Sequence, residues 1–133
     1  MMIITKSLKN NEIYNLATQL LEVFNSAEDK QMMFPVKINF YFQKNMNNLV
    51  DLAKEIEIER LGIVQKYGKP TEENEEQYFI PEENVTIVNQ ELMDLFNLEQ
   101  EVKIYTVDLD MFDGINMTPQ QTAAFSFMIT EEE

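Results

Sequence analysis

Cysteine, histidine and tryptophan are all missing from these 133 residues, and the second half of the chain is almost without cations. Lacking cysteine, the chain forms no disulfide, offers no thiolate to a metal, holds no cysteine nucleophile and gives no sign of an oxidising compartment. Without histidine it loses the commonest general base and metal ligand, and the usual switch near neutral pH. Chemistry would fall to carboxylates, Lys, Arg, Tyr, Ser or Thr, and the sequence has no nucleophile elbow, phosphate loop or metal-ligand spacing to organise them. A non-enzymatic protein with no cofactor and no metal is expected. Three glycines and four prolines leave few breaks, which favours helices with short connections. No long apolar run occurs, and Met1-Met2-Ile3-Ile4-Thr5-Lys6 has neither a leading basic region nor an extended apolar stretch. Neither a signal peptide nor a membrane span is expected, and the expected location is the cytoplasm.

The charge that is present is unevenly divided. Residues 1–70 hold nine of the ten Lys and Arg residues against eight carboxylates, whereas residues 71–133 keep only Lys103 against sixteen. The net charge of −14 is therefore the charge of one half of the molecule. Such a field repels nucleic acid and anionic membrane and attracts basic protein surfaces, so the expected partner is a protein with a basic surface. Direct nucleic-acid binding is not expected either from the basic residues of the first half, which form no stripe interleaved with aromatics.

Periodicity supplies the elements. Ile13, Leu16, Ala17, Leu20, Leu21, Val23 and Phe24 form one wide stripe on a helix over residues 8–24, with Asn10 or Asn11 as its N-cap and a polar connection over 25–31. Phe42, Met46, Leu49, Ala53, Ile56, Arg60, Ile63 and Tyr67 follow at intervals of four and three, a heptad seam interrupted by Arg60. A helix over 35–67, with Pro35 at its first position, would be about 48 Å long at ~1.5 Å per residue, so it projects or pairs. Its front end is ambiguous, because Val36, Ile38, Phe40 and Phe42 alternate as a strand does. Gly68 and Pro70 end it.

An acidic loop over 71–77 follows, then a short strand at Tyr78-Phe79-Ile80 and a third helix opened by Pro81-Glu82-Glu83, its stripe made by Val85, Val88, Leu92, Leu95 and Phe96. Residues 102–109 alternate and are rich in β-branched side chains, the best strand in the chain. Thr118, Pro119 and Gln121 form a capping box for a last helix carrying Ala123, Ala124, Phe125, Phe127, Met128 and Ile129, and Glu131-Glu132-Glu133 should be solvated. The expected architecture is a single domain over 1–133, α+β and mainly helical. It has a shorter N-terminal helix, a long central helix, a small two- or three-stranded sheet that residues 2–5 join, and a short C-terminal helix.

Several patches invite a functional reading. Residues 108–114 resemble a calcium loop, but the third acid and the glycine each come one residue late and Pro119 stands where the bidentate glutamate belongs, so an acidic turn is expected. Asp51, Glu55 and Glu59 share a helix face, without the histidine that di-metal bundles pair with such acids, and are expected to be solvated along with Glu57. The nine methionines are expected mainly as core filler. Phe34, Phe40, Tyr41 and Phe42 are denser than one buried stripe needs, so some of these rings should meet a partner or a second copy of the chain.

Asn11-Glu12-Ile13-Tyr14, then Phe34-Pro35-Val36-Lys37, Lys66-Tyr67-Gly68, Tyr78-Phe79-Ile80-Pro81-Glu82-Glu83-Asn84, Thr118-Pro119 and Phe127-Met128-Ile129 together resemble a family of small uncharacterised proteins from tailed phages and prophages of Gram-positive bacteria. The resemblance carries over no site. It implies a phage product in the bacterial cytoplasm, for which interference with host defence and particle assembly are the main occupations. The leading expectation is an inhibitor whose acidic half occupies the basic groove of a host nucleic-acid-binding defence protein, such as a CRISPR effector, in the manner of a nucleic-acid mimic. Its expected contacts are Glu72, Glu73, Glu75, Glu76, Asp108, Asp110 and Asp113. The alternative is a structural or assembly component held to other virion proteins, or to itself as a homodimer, through Phe34, Phe40, Tyr41 and the long helix.

Overall fold

The chain opens on a strand, and that strand waits for a partner almost a hundred residues away. A computed structural model of the chain describes residues 2–30, 35–115 and 119–130. In order, the elements are β1 (Met2–Lys9), α1 (Asn10–Lys30), α2 (Val36–Tyr67), β2 (Lys69–Pro70), β3 (Tyr78–Phe79), α3 (Val85–Asn97), β4 (Glu99–Asp108), α4 (Pro119–Phe125) and β5 (Ile129–Thr130). The mainly helical α+β architecture with a long central helix is the one the sequence predicts. Phe34 and the capping residue Thr118 lie outside the described residues.

The main sheet has the order β1-β4-β5. β1 runs antiparallel to β4 in unbroken register from Met2 opposite Thr106 to Lys9 opposite Glu99, and β5 runs parallel to β4 with Ile129 opposite Val107. Alternation on β4 sends Val102, Ile104 and Thr106 into the core, while Lys103 stands on the solvated face. Ile129 is thus a strand residue, where helical periodicity had placed it in the last helix. The helix stops at Phe125, a 3-10 turn at Ser126–Met128 follows, and the Thr130 hydroxyl donates to the Val107 carbonyl to fix the pairing.

The heptad seam of α2 turns inward along its whole length: Phe42, Met46, Leu49 and Ile56 are buried, and Ala53, Arg60, Ile63 and Tyr67 are half-buried. The alternating front end is helical. Ile38 and Phe42 are one turn apart and face the core, while Val36 and Phe40, also one turn apart, face solvent, so two helical pairs mimic a strand pattern. Pro35 is the N-cap, with extended ψ of 145°, rather than the first helical residue. The ring of Phe42 meets that of Phe125 at 4.7 Å, and Phe125 meets Phe112 at 5.9 Å, which ties the start of α2 to the segment after β4.

Three other local expectations change. α1 continues through the predicted polar connection to Lys30, because neither glycine nor proline interrupts residues 25–30. Asn10 is no N-cap: its amide donates to the Leu95 carbonyl at 2.8 Å and accepts from Gln100 at 2.7 Å, clasping the α3–β4 corner, while Glu12 accepts the N–H of Lys9. Pro81 and Glu82 open a 3-10 turn, so α3 begins at Val85, whose side chain is exposed.

At the far end of α2, Gly68 is extended, with φ of −96°, and its glycine identity is required by space. A Cβ there would stand 2.5 Å from the Val64 carbonyl oxygen and 3.0 Å from that of Phe79. β2 then pairs with β3, and Asn84 donates to the Tyr67 carbonyl at 2.9 Å, capping the helix end.

One polar residue is buried where the seam meets the sheet. Asn45 is 1% exposed, its amide donates to the Tyr105 carbonyl at 2.8 Å, and its carbonyl accepts the Tyr105 N–H at 2.8 Å. These bonds copy what a neighbouring strand would make. Asn45→Ala leaves both Tyr105 groups unpaired and is expected to cost about 3 kcal/mol in urea unfolding, with faster hydrogen exchange at the Tyr105 amide. A loss below about 1 kcal/mol with unchanged exchange would show the bonds to be dispensable.

Arg60, the break in the seam, pairs bidentately with Glu57 one turn back. That bond holds the Glu57 carboxyl below its ordinary pKa of 4.5. A depressed carboxyl contributes stability above its unfolded pKa and loses it as pH falls through the folded value. The stability gap between wild type and Arg60→Gln, about 0.5 kcal/mol at neutral pH for a half-buried pair screened by solvent, should therefore close as titration runs from pH 4.5 down through the depressed folded value.

Candidate protein-binding surface

Consecutive residues on a helix point about 100° apart, so the aromatic run at the start of α2 is necessarily divided between core and solvent. Phe42 goes to the core; Phe40 is 55% exposed, and Tyr41 is half-buried between them. Tyr41 stacks on Tyr105 of β4 with ring centroids 5.9 Å apart and planes at 15°, and Phe40 meets Tyr41 edge-on at 5.6 Å. Lys44, one turn on, lies 5.1 Å from the ring centroids of both Phe40 and Tyr105, within cation–π range. Ile3 sits opposite Tyr105 across the strand pair, is 49% exposed and extends the apolar patch over the outer face of the sheet. The result is a face of three rings, an isoleucine and one lysine.

The predicted acidic contacts fall in two groups. Glu72, Glu73, Glu75 and Glu76 are all exposed on the loop between β2 and β3, immediately after α2. This loop is built: the Thr71 hydroxyl bonds the Asn74 carbonyl and accepts the Asn74 N–H, Asn74 accepts the Glu76 N–H, and Thr71 N–H reaches the Gln77 carbonyl at 2.8 Å. Asp110 and Asp113 are exposed on the turn after β4, while the half-buried Asp108 accepts a bond from Thr130. Through Phe112 and Phe125 that turn lies beside Phe42, near the start of α2. The two groups thus lie toward opposite ends of α2, whose stretch from Phe42 to Tyr67 is about 38 Å long at ~1.5 Å per residue. Among the described residues, no three acidic side chains are grouped to hold a metal ion.

Asp51, Glu55 and Glu59 are exposed along α2, as expected of a solvated face. Among the described residues the methionines are scattered: Met46 and Met128 are buried, Met111 is half-buried, and Met2 and Met93 are exposed, while Met1, Met32, Met33 and Met117 lie outside the described residues. Sequence reasoning found Phe40 and Tyr41 and missed Tyr105, Lys44 and Ile3. The alternation of β4 already sets Tyr105 apart from the core residues Ile104 and Thr106; the placement of Ile3 depends on a register that no local pattern reveals. Among the described residues, no helix is long and apolar enough to cross a membrane. No family model matches the chain, and neither a curated protein nor a solved structure matches it.

Because Phe40 and Phe42 face opposite ways, their truncations should separate. Phe40→Ser is expected to change the thermal midpoint by less than about 2 °C, and Phe42→Ala to cost about 4 kcal/mol, both read by calorimetry and urea unfolding.

Proposed function

We propose that this chain acts by binding another protein, with the Phe40, Tyr41, Tyr105, Lys44 and Ile3 face as its principal contact. The observation that carries this reading is the ring cluster, in which the exposed Phe40 stands on the half-buried Tyr41 and Tyr105. Exposed aromatic area braced by stacking and by a lysine presents rigid apolar surface at little entropic cost, the character of an interface centre. In the phage setting that the sequence resemblance implies, such a face suits a particle accessory or assembly component that joins virion proteins.

A second reading has its own observation. The hydrogen-bonded loop over 71–77 presents four glutamates to solvent, which favours electrostatic docking on a basic groove, as an inhibitor of a host nucleic-acid-binding defence protein would do.

Salt and mutation distinguish the two. Immobilised wild type, Phe40→Ser/Lys44→Glu, and a variant with Glu72, Glu73, Glu75 and Glu76 changed to Gln would be exposed to lysate of phage-infected host cells. The aromatic reading expects a partner that survives a wash at about 1 M salt, is lost from the Phe40/Lys44 variant and is kept by the glutamine variant, because apolar burial is not screened. A basic partner lost at high salt and from the glutamine variant alone would overturn it in favour of the inhibitor.

A further inference from the structure

In an antiparallel ladder successive residues alternate between pointing their N–H and C=O at the partner strand and pointing both away. Tyr105 directs both groups to Asn45, away from β1. Since the β1–β4 register is unbroken, Lys103 and Glu101 point their backbone groups the same way. β5 occupies this edge of β4 at Val107–Asp108, and Asn45 occupies it at Tyr105. At Lys103 and Glu101, among the described residues, no group takes it.

Beside this open stretch the surface is hollow. A recess of about 290 Å³ lies between Asn48, Asp51 and Leu52 of α2 and Glu101 to Lys103 of β4. The next turn of α2 borders a second recess of about 370 Å³, where Ile58 and Leu98, 67% and 57% exposed, stand beside Glu55 and Glu59. Together the two recesses carry Asp51, Glu55, Glu59 and Glu101 against the single cation Lys103.

We propose that the cleft between α2 and the open edge of β4 binds an extended segment of a partner protein, which adds as a strand at Lys103 and Glu101. The segment alternates apolar and basic side chains. Its backbone takes the vacant edge groups, an apolar side chain fills the recess at Ile58 and Leu98, and a lysine or arginine meets Glu55 and Glu59. Charge selects the occupant: four carboxylates against one lysine attract a basic strand, whereas the strand β4 of a second copy, with Glu99, Glu101 and Asp108, would bring like charge. The free edge of β1 competes poorly for the same segment, because Lys6 and Lys9 flank it. The site is separate from the aromatic face and does not depend on it.

The test uses the full chain, isotopically labelled, and a hexapeptide alternating lysine and valine at about 0.15 M salt. Its controls are the glutamate–valine peptide and a lysine–valine peptide N-methylated on alternate amides. Expected are affinities at least tenfold weaker for both controls, about fivefold weaker binding to Glu55→Gln/Glu59→Gln, and at least tenfold slower exchange of the Lys103 and Glu101 amides on saturation. Phe40→Ser should bind as wild type does, so failure here leaves the aromatic reading standing, and the reverse. Binding indifferent to N-methylation would reduce the site to unspecific attraction. Protection of Ile3, Thr5 and Ser7 would move it to β1, and no binding at about 1 mM peptide would remove it; each overturns the proposal.

Discussion

The structure depends on a helix standing where a strand would otherwise be. β4 is the central strand, yet among the described residues β5 covers two residues of its second edge, and a strand with one edge open beside a core is an incomplete solution. α2 supplies the missing neighbour. Its apolar seam packs into the core, and Asn45, set one position from the seam residue Met46, turns its amide onto the strand and satisfies both groups of Tyr105. A seam of apolar residues alone would let the helix slide along the sheet; a buried amide with two fixed partners sets its position. That placement also holds Tyr41 against Tyr105 and so assembles the aromatic face.

Much of this was legible in the sequence where one period dominated. The seam from Phe42 to Tyr67, the alternation of β4 and the proline that opens α4 were local signals with little competition. What misled was short-range ambiguity or long-range pairing. Val36 to Phe42 satisfied both periods at once, and only the core could choose. Asn10 had the chemistry of a cap, but a carbonyl 85 residues away was the better acceptor. Ile129 continued a helical pattern until Val107 offered a ladder. The candidate face was half visible for the same reason: Phe40 and Tyr41 announced an excess of rings, while their partners came from two strands whose register has no local signature.

The charge division also changes meaning once folded. A boundary drawn along the sequence near residue 70 becomes, in space, acidic groups at both ends of α2 with the aromatic and lysine face near one of them. Sequence blocks and surface patches coincide only when the chain does not return, and here β4 runs back alongside α2.

Pairing Met2 with Thr106 has a consequence for how the molecule assembles. β1 is made before its neighbour and can pair with β4 only after α1, α2 and α3 have been synthesised. Loops this long close slowly, and the unpaired strand spends that interval with Ile3 and Ile4 uncovered. Lys6 and Lys9 put positive charge along that strand, and like charge disfavours its pairing with a second copy of itself.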